Sequence, residues 1–311
     1  EILSAQSPRD GDMLFSLALI NRELGDQIAA SAYLRQVIAL QQRVDEAYYY
    51  LGRIAEERGD TQEAIDNYRQ VSGGREFLAA NSQMGQLLID GDSLENYHQL
   101  FTSQRVIHPA YSEQLFGLEA EILSQSGFSD EALRILDQSL AQSPQDSSLR
   151  YARAMLLEQQ GDLAGMERDL RTILASEPDN ATALNALGYT LADRTNRHAE
   201  ALELISRALS LEPDEPAILD SMGWVLYRTG RYHEAIEYLT RAYTNFPDPE
   251  VAAHLGEVLW VTGQTDAARS VWQGAAQRSP DHPILRSTLE RLGVGPLTTS
   301  GPKSTTPGDQ S

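Results

Sequence analysis

The sequence predicts an all-α fold, a solenoid built from two-helix hairpins, and three observations carry this prediction. Similar segments recur between Ala181 and Pro280: Leu-Asn-Ala-Leu-Gly-Tyr from Leu184, Leu-Asp-Ser-Met-Gly-Trp from Leu219, and Ala-Ala-His-Leu-Gly-Glu from Ala252. The glycines of these segments recur at a nearly constant spacing, and a proline closes each unit. A period of about 34 residues with this pattern is typical of stacked helical repeats.

Extended along the chain, the same period predicts eight repeats within residues 11–281. Their predicted starts are Gly11, Asp45, Leu78, Glu113, Ser147, Ala181, Pro216 and Pro249. Each first helix has a small residue, Gly or Ala, at one recurring position. Because Gly inside a helix costs about 1 kcal/mol relative to Ala, these residues indicate the point at which the two helices of a hairpin come closest. A turn glycine in the left-handed conformation ends most first helices, and a proline follows most second helices.

Three repeats depart from this pattern. In the second, Gly73 and Gly74 replace the closing proline, which predicts a frayed helix end. In the third, Tyr97 stands where alanine is usual, which predicts wider helix separation. The sixth lacks a turn glycine and has one extra residue around Arg194, which predicts a longer, more mobile turn.

The two ends of the chain do not follow the complete repeat pattern. Residues 1–10 resemble the end of a truncated preceding repeat, and residues 282–292 are predicted to form a C-terminal capping helix. A solenoid needs such a cap because each unit contacts only its neighbours. Residues 293–311 are polar and rich in Pro and Gly, which predicts a disordered tail.

Composition argues against several classes of function. The formal net charge is −20 with a pI near 4.6, which is the opposite of a nucleic-acid surface or a polybasic membrane contact. Cysteine is absent, Lys303 is the one lysine, and the six histidines form no His-Glu-x-x-His motif. Neither Gly-x-Ser-x-Gly nor Gly-x-Gly-x-x-Gly occurs. The sequence therefore predicts a non-catalytic protein with no metal and no cofactor.

The candidate binding residues lie on the face of the first helices that the hairpin core does not use. They are Tyr49, Tyr50, Arg53, Tyr151, Asn185, Tyr189, Asp220, Trp224, Tyr227, Arg228, His254, Glu257 and Trp260. We call four of these aromatic residues, Tyr189, Trp224, Tyr227 and Trp260, the inner row. Aromatic rings flanked by Asn, Asp and Arg are typical of protein-binding hot spots. The alternative is that Trp224 and Tyr189 fill gaps between neighbouring first helices.

Other aromatic residues are predicted to serve packing. Tyr68, Phe101 and Trp272 fall at one core position of the second helices. They are therefore expected inside the hairpins.

The repeats resemble those of the tetratricopeptide repeat (TPR) family over about residues 11–281. This resemblance implies a right-handed superhelix that binds extended peptides or protein partners in its concave groove. The segments from Leu184, Ile218 and Ala252 are more narrowly similar to proteobacterial TPR lipoproteins of the outer membrane, and among these to the LbcA-type adaptor of a periplasmic carboxyl-terminal processing protease.

This narrower resemblance implies an adaptor that binds the protease and presents protein substrates such as cell-wall hydrolases. It also implies a periplasmic, outer-membrane lipoprotein whose lipid anchor lies upstream of residue 1; a cytoplasmic location is the alternative. Two other readings stay open: a TPR scaffold of another assembly, such as envelope polysaccharide export or a chaperone partner, and a fragment of an enzyme that lacks its catalytic domain.

Overall fold

The computed structural model describes residues 10–91, 93–295 and 297. This part of the chain contains seventeen α-helices, one short 3-10 helix and no strand, which confirms the predicted all-α fold. Residues 1–9, 92, 296 and 298–311 lie outside the described part. Most of the predicted truncated repeat at 1–10 and of the predicted disordered tail at 293–311 falls there.

The helices alternate as first and second members of hairpins. The first helices are α1 (Gly11–Glu23), α3 (Val44–Glu57), α5 (Glu76–Asp90), α7 (Ser112–Gln125), α9 (Ser147–Gln159), α11 (Ala181–Arg194), α13 (Pro216–Arg228) and α15 (Pro249–Val261). The second helices are α2 (Gln27–Ala39), α4 (Thr61–Tyr68), α6 (Leu94–Ile107), α8 (Ser129–Gln142), α10 (Leu163–Ser176), α12 (His198–Leu211), α14 (Tyr232–Asn245) and α16 (Thr265–Arg278). A 3-10 helix, Pro109–Tyr111, precedes α7, and α17 (Pro283–Arg291) follows α16. The first helices begin at or just before the predicted repeat starts.

The chain divides into two compact units between Met166 and Glu167, a point within α10. The first unit contains α1 to α9 around buried residues such as Leu34 and Phe77. The second contains α11 to α17 around residues such as Leu184 and Val225.

Helix ends follow from local chemistry. Six turn glycines, Gly25, Gly59, Gly127, Gly161, Gly230 and Gly263, have φ between +80° and +86°, as predicted. Second helices end just before Pro109, Pro144, Pro178, Pro213, Pro247 and Pro280. Several first helices begin after a capping carboxylate or amide; for example, Asn180 Oδ1 accepts the N–H of Ala183 at 2.9 Å.

The sixth repeat corrects the prediction of a longer turn. Its turn spans 195–197 and is as short as the turns after α9 and α13. The extra residue lengthens α11 to 14 residues, against 13 in α13. The Thr195 hydroxyl replaces the turn glycine: it donates to the Leu191 carbonyl at 2.6 Å and accepts the N–H of Arg197 at 3.0 Å. In the second repeat, α4 already ends at Tyr68, before the glycine pair.

Close helix approach depends on a glycine of the first helix that faces a large side chain of the second. A Cβ atom at Gly223 would lie 2.5 Å from Leu239 Cγ and 3.1 Å from the Ala235 carbonyl oxygen. The same relation holds for Gly52 and Tyr68, Gly85 and Phe101, Gly188 and Ile205, and Gly256 and Trp272. The sequence separation within these pairs is constant, except that the sixth repeat adds its extra residue.

The large partners are fully buried. Tyr68, Phe101 and Trp272 are each 0% exposed, which confirms that they serve packing. Each therefore occupies the space that a side chain at its glycine would need.

Arginine side chains brace successive repeats of the second unit. A guanidinium nitrogen of Arg207 donates to the Pro178 carbonyl at 2.8 Å. Arg241 bonds the Pro213 carbonyl at 3.3 Å in the same way, and Arg278 bonds the Pro247 carbonyl at 3.0 Å. Because the helix has already ended before each proline, these carbonyls lack helical donors, and the arginines supply them.

Gly223→Ala is expected to destabilise the second unit by about 1–3 kcal/mol, because the new methyl group meets Leu239 and a backbone oxygen. Urea unfolding followed by tryptophan fluorescence measures this, since all three tryptophans lie in the second unit.

Gly117→Ala in α7 is the control for this substitution, with its unfolding followed by circular dichroism. A Cβ atom there would meet only Leu149 Cδ2, at 3.7 Å. The better helix propensity of alanine should therefore leave stability unchanged or slightly raised. Equal stability of Gly223→Ala and the wild type would contradict the close-packing explanation.

Candidate protein-binding surface

Four of the predicted contact residues lie in the first unit. Tyr49 and Tyr50 of α3 are half-buried, with ring centroids 5.5 Å apart in an edge-on arrangement. Arg53, one turn further on, is also half-buried, and the nearby Tyr49 side chain raises its pKa. Tyr151 lies on α9, three repeats further along the chain, where burial raises the pKa of its hydroxyl. The structure thus groups three of these residues on one helix.

The other nine lie in the second unit, on three consecutive first helices. They are Asn185 and Tyr189 on α11, Asp220, Trp224, Tyr227 and Arg228 on α13, and His254, Glu257 and Trp260 on α15. Contacts between these helices bring most of the nine together.

A buried ion pair joins α13 to α15. Asp220 is 6% exposed and His254 is 5% exposed, and His254 Nδ1 lies 2.9 Å and 3.1 Å from the two carboxylate oxygens. Burial by itself opposes a charged imidazole, but the attraction and hydrogen bond of Asp220 outweigh it and raise the pKa of His254. The pair therefore exists as a salt bridge over a wider pH range than an exposed histidine allows.

Trp224 completes this packing. Its ring stacks on the His254 imidazole with centroids 4.1 Å apart and planes at 24°. Its indole N–H donates to Asp193 Oδ1 on α11 at 3.1 Å. Trp224 thus touches both neighbouring first helices and is 6% exposed. For Trp224 the structure therefore supports the alternative prediction. The ring fills a gap between neighbouring first helices and is not part of an exposed binding surface.

Glu257 is a second buried carboxylate, 2% exposed. It accepts hydrogen bonds from the Tyr227 hydroxyl at 3.0 Å and from Arg291 Nη1 and Nη2 at 2.8 Å and 2.5 Å. Burial and the nearby Glu257 charge raise the pKa of Tyr227 to about 12.

Arg291 is not among the residues predicted from the sequence, because residues 282–292 are predicted there only as a cap. The available signal was Glu257 itself. A charged residue inside an otherwise apolar first helix needs a cation partner.

Tyr189 reaches past α13 to α15. Its hydroxyl donates to Glu250 Oε1 at 3.3 Å, and burial raises the pKa of Glu250. On the same helix, Asn185 Oδ1 is buried and accepts no hydrogen bond within the described part of the chain. Arg228 donates to the Asp193 carbonyl at 2.7 Å. Glu250 and Asp193 belong to this network and are not among the residues predicted from the sequence.

Trp260, the last member of the inner row, is half-buried near the end of α15. Its ring centroid lies 5.8 Å from that of Trp272, and the guanidinium of Arg269 lies 5.5 Å above it. Together with the half-buried Tyr189 and Tyr227, it offers partly exposed aromatic surface on three consecutive repeats. Such surface suits contact with another polypeptide.

Two further observations concern what the described residues contain. No group of three or more His, Asp or Glu side chains is arranged to hold a metal ion. None of the described helices combines the length and the hydropathy needed to cross a bilayer.

The Asp220–His254 pair predicts pH-dependent stability of the second unit. Since the pKa of His254 is raised on folding, its stabilising effect is complete below the pKa of free histidine, about 6.5, and is lost as the pH rises through the raised value. His254→Gln should therefore be less stable than the wild type at about pH 6, and the difference should shrink at higher pH. One proton allows a slope of at most about 1.4 kcal/mol per pH unit.

Urea unfolding at a series of pH values measures this difference. His233→Gln is the matched control, because the His233 side chain is 90% exposed and its profile should follow that of the wild type. A constant difference between His254→Gln and the wild type across this range would refute the buried ion pair.

Comparisons with known proteins agree with this architecture. The chain is 46% identical over 249 residues to TPR repeat-containing protein PA4667 of Pseudomonas aeruginosa, which covers 80% of this chain and 42% of that protein. It is 28% identical over 240 residues to cellulose synthase operon protein C of Pseudomonas fluorescens, covering 69% of this chain and 18% of that protein. The chain therefore spans less than half the length of these relatives.

A solved structure shares the fold. A tetratricopeptide repeat protein from Parabacteroides merdae superposes with a TM-score of 0.58 at 14% identity, covering 80% of this chain and 98% of that one.

A family model described as tetratricopeptide repeat matches residues 27–73, 118–165, 167–216 and 221–283, more than half of the chain. These residues include most of the hairpins described above, with their turn glycines and closing prolines. On the family model, the relatives and the hairpin architecture together, the chain belongs to the tetratricopeptide repeat family.

Proposed function

We propose that this chain is part of a non-catalytic adaptor that binds a periplasmic carboxyl-terminal processing protease and presents protein substrates, such as cell-wall hydrolases, to it. Tetratricopeptide repeats are protein-interaction scaffolds, and protein partners are the general expectation for this fold. The full-length protein would be an outer-membrane lipoprotein that faces the periplasm.

The observation that carries the proposal is the partly exposed surface of Tyr189, Tyr227 and Trp260 on consecutive first helices. The half-buried Arg228 adds a charged donor beside it. Rings anchored in a rigid frame lose little conformational entropy on binding, which suits an anchor for a polypeptide. The amino-acid sequence of these same repeats, from Leu184 to Trp260, resembles that of the protease adaptors.

An adaptor of this kind accelerates proteolysis without chemistry of its own. If it holds protease and substrate together, the second encounter becomes intramolecular, with an effective concentration on the order of millimolar. Alternatively, it stabilises the active conformation of the protease. The fraction of active protease then rises, and the local concentration of substrate does not change. Cleavage of a peptide too short to touch the adaptor separates the two, since only the second mechanism accelerates it.

Trp260→Ala is expected to weaken the acceleration of hydrolase degradation by about tenfold, because loss of a hot-spot ring costs on the order of 1.4 kcal/mol or more. The measurement is the degradation rate of a purified cell-wall hydrolase by the purified protease, with and without the chain. Circular dichroism verifies that the variant is folded.

Phe246→Ala is the matched control, since this aromatic ring is 57% exposed and follows α14, outside the inner row. It should leave the acceleration unchanged. A wild-type chain that neither binds the protease nor changes the degradation rate would exclude the proposed adaptor role.

The second candidate is a scaffold for envelope polysaccharide export. The similarity to cellulose synthase operon protein C favours it. Affinity capture from a periplasmic extract distinguishes the two, because recovery of polysaccharide-export components without a protease would support the second candidate. Recovery of a cytoplasmic chaperone from whole cells would instead support a chaperone-partner scaffold.

A further inference from the structure

The first unit carries a groove that the proposed function does not use. It has a volume of about 880 Å³ and follows the outward side of α6, a second helix. Leu94, His98, Thr102 and Val106, four residues apart along α6, form one row of its lining. Ile107 belongs to the adjacent row. Since residues four apart share a helix face, the groove runs along the whole helix, about 21 Å.

The groove continues beyond α6. A neighbouring cavity of about 560 Å³ shares Leu94 with it and is also lined by Phe128 and Asp130 at the start of α8. Phe128 is 42% exposed. The two cavities share Leu94 and Glu131, and apolar side chains lie at both ends with polar side chains such as Thr102 between them. We call the two together the α6 groove.

Folding does not require apolar residues at the end of α6. Val106 is 77% exposed and Ile107 is 65% exposed. At the corresponding ends of α14 and α16 the chain has Thr244-Asn245 and Gln277-Arg278. The buried side of α6 is formed instead by Tyr97 and its neighbours, and the Tyr97 hydroxyl donates to the Glu119 carbonyl at 2.6 Å.

The charges at the groove favour a basic occupant. Glu95 lines the groove and Asp130 lines its continuation, and no ion pair of either is found within the described part of the chain. Glu131, which lines both cavities, is already paired with Arg134. His98 is held between two carboxylates, with Nδ1 2.9 Å from Glu119 Oε1 and Nε2 2.9 Å from Glu131 Oε1. The unbalanced charge of the groove is therefore negative, in a chain of net charge −20.

We propose that the α6 groove binds an amphipathic α-helix of a protein partner, with apolar side chains on one face and Lys or Arg beside them. Helix-in-groove binding needs an apolar channel about as long as a few helical turns, and α6 offers 14 residues. The negative rim selects basic flanks and disfavours an anionic membrane surface. This site lies on a second helix of the first unit, so it is independent of the inner row.

The test is a selection from a display library of helical peptides of about 18 residues, a length that spans the groove. The wild-type chain is the target, and the double variant Val106→Ser/Ile107→Ser is used for counter-selection. Both side chains are mostly exposed, so the variant should fold normally, which circular dichroism verifies. Selected peptides are expected to carry apolar residues three and four apart with Lys or Arg beside them.

A selected peptide should bind the wild type at least about tenfold more tightly than the double variant, measured by fluorescence anisotropy. Glu95→Gln/Asp130→Asn should weaken binding and reduce its salt dependence, because the attraction is between charges. Ile28→Ser, at an apolar residue that is 86% exposed in another hairpin, is the control and should bind as the wild type does.

Three outcomes would overturn the proposal. One is that no selected peptide distinguishes the wild type from the double variant. Another is that the distinguishing peptides are acidic. The third is that vesicles containing phosphatidylglycerol bind the wild type and lose binding to the double variant, which would make the groove a membrane contact.

Discussion

The distance between the two helices of each hairpin is the constraint on which the rest of the structure depends. A glycine of the first helix, such as Gly223, faces a large side chain of the second helix. Because the glycine has no side chain, the two helices can pack closely there. This contact fixes the rotation of the first helix. In the second unit, the residue after each such glycine is turned by about 100° and lies toward other first helices. Tyr189, Trp224 and Glu257 all occupy that position. Trp224 and Glu257 form hydrogen bonds with the adjacent first helix, and Tyr189 forms one with Glu250, two first helices further on.

Buried charge in the second unit follows from the same stacking. A carboxylate that faces the next repeat is removed from water and can be compensated only by a side chain of that repeat. Asp220 forms an ion pair with His254 in this way, and Glu257 forms one with Arg291. The helix α17 is therefore more than an apolar cover. It supplies the cation for the last buried carboxylate, and a cap chosen for hydrophobicity alone would leave that charge uncompensated.

Local features of the fold could be predicted from the sequence, because glycine and proline act on the residues beside them. The φ of each turn glycine and the end of each helix before a proline are such features. The exposure of Trp224 could not be predicted, since it depends on His254 and Asp193, which belong to the neighbouring repeats. The turn after α11 was mispredicted for a related reason. The sequence shows one extra residue, but only the Thr195 hydrogen bonds decide that the helix, and not the turn, absorbs it.

Repeat arrays are usually treated as one-dimensional systems in which the free energy of unfolding is a sum of single-repeat and nearest-neighbour contributions. The hydrogen bond from Tyr189 to Glu250 joins residues 61 positions apart, on helices with another first helix between them in the chain. Such a contact adds a next-nearest-neighbour coupling. Partly unfolded states in which one end repeat has opened alone lose this coupling as well as the ordinary interface. The second unit is therefore more cooperative than a count of adjacent interfaces implies, and its end repeats fray less than those of a regular array.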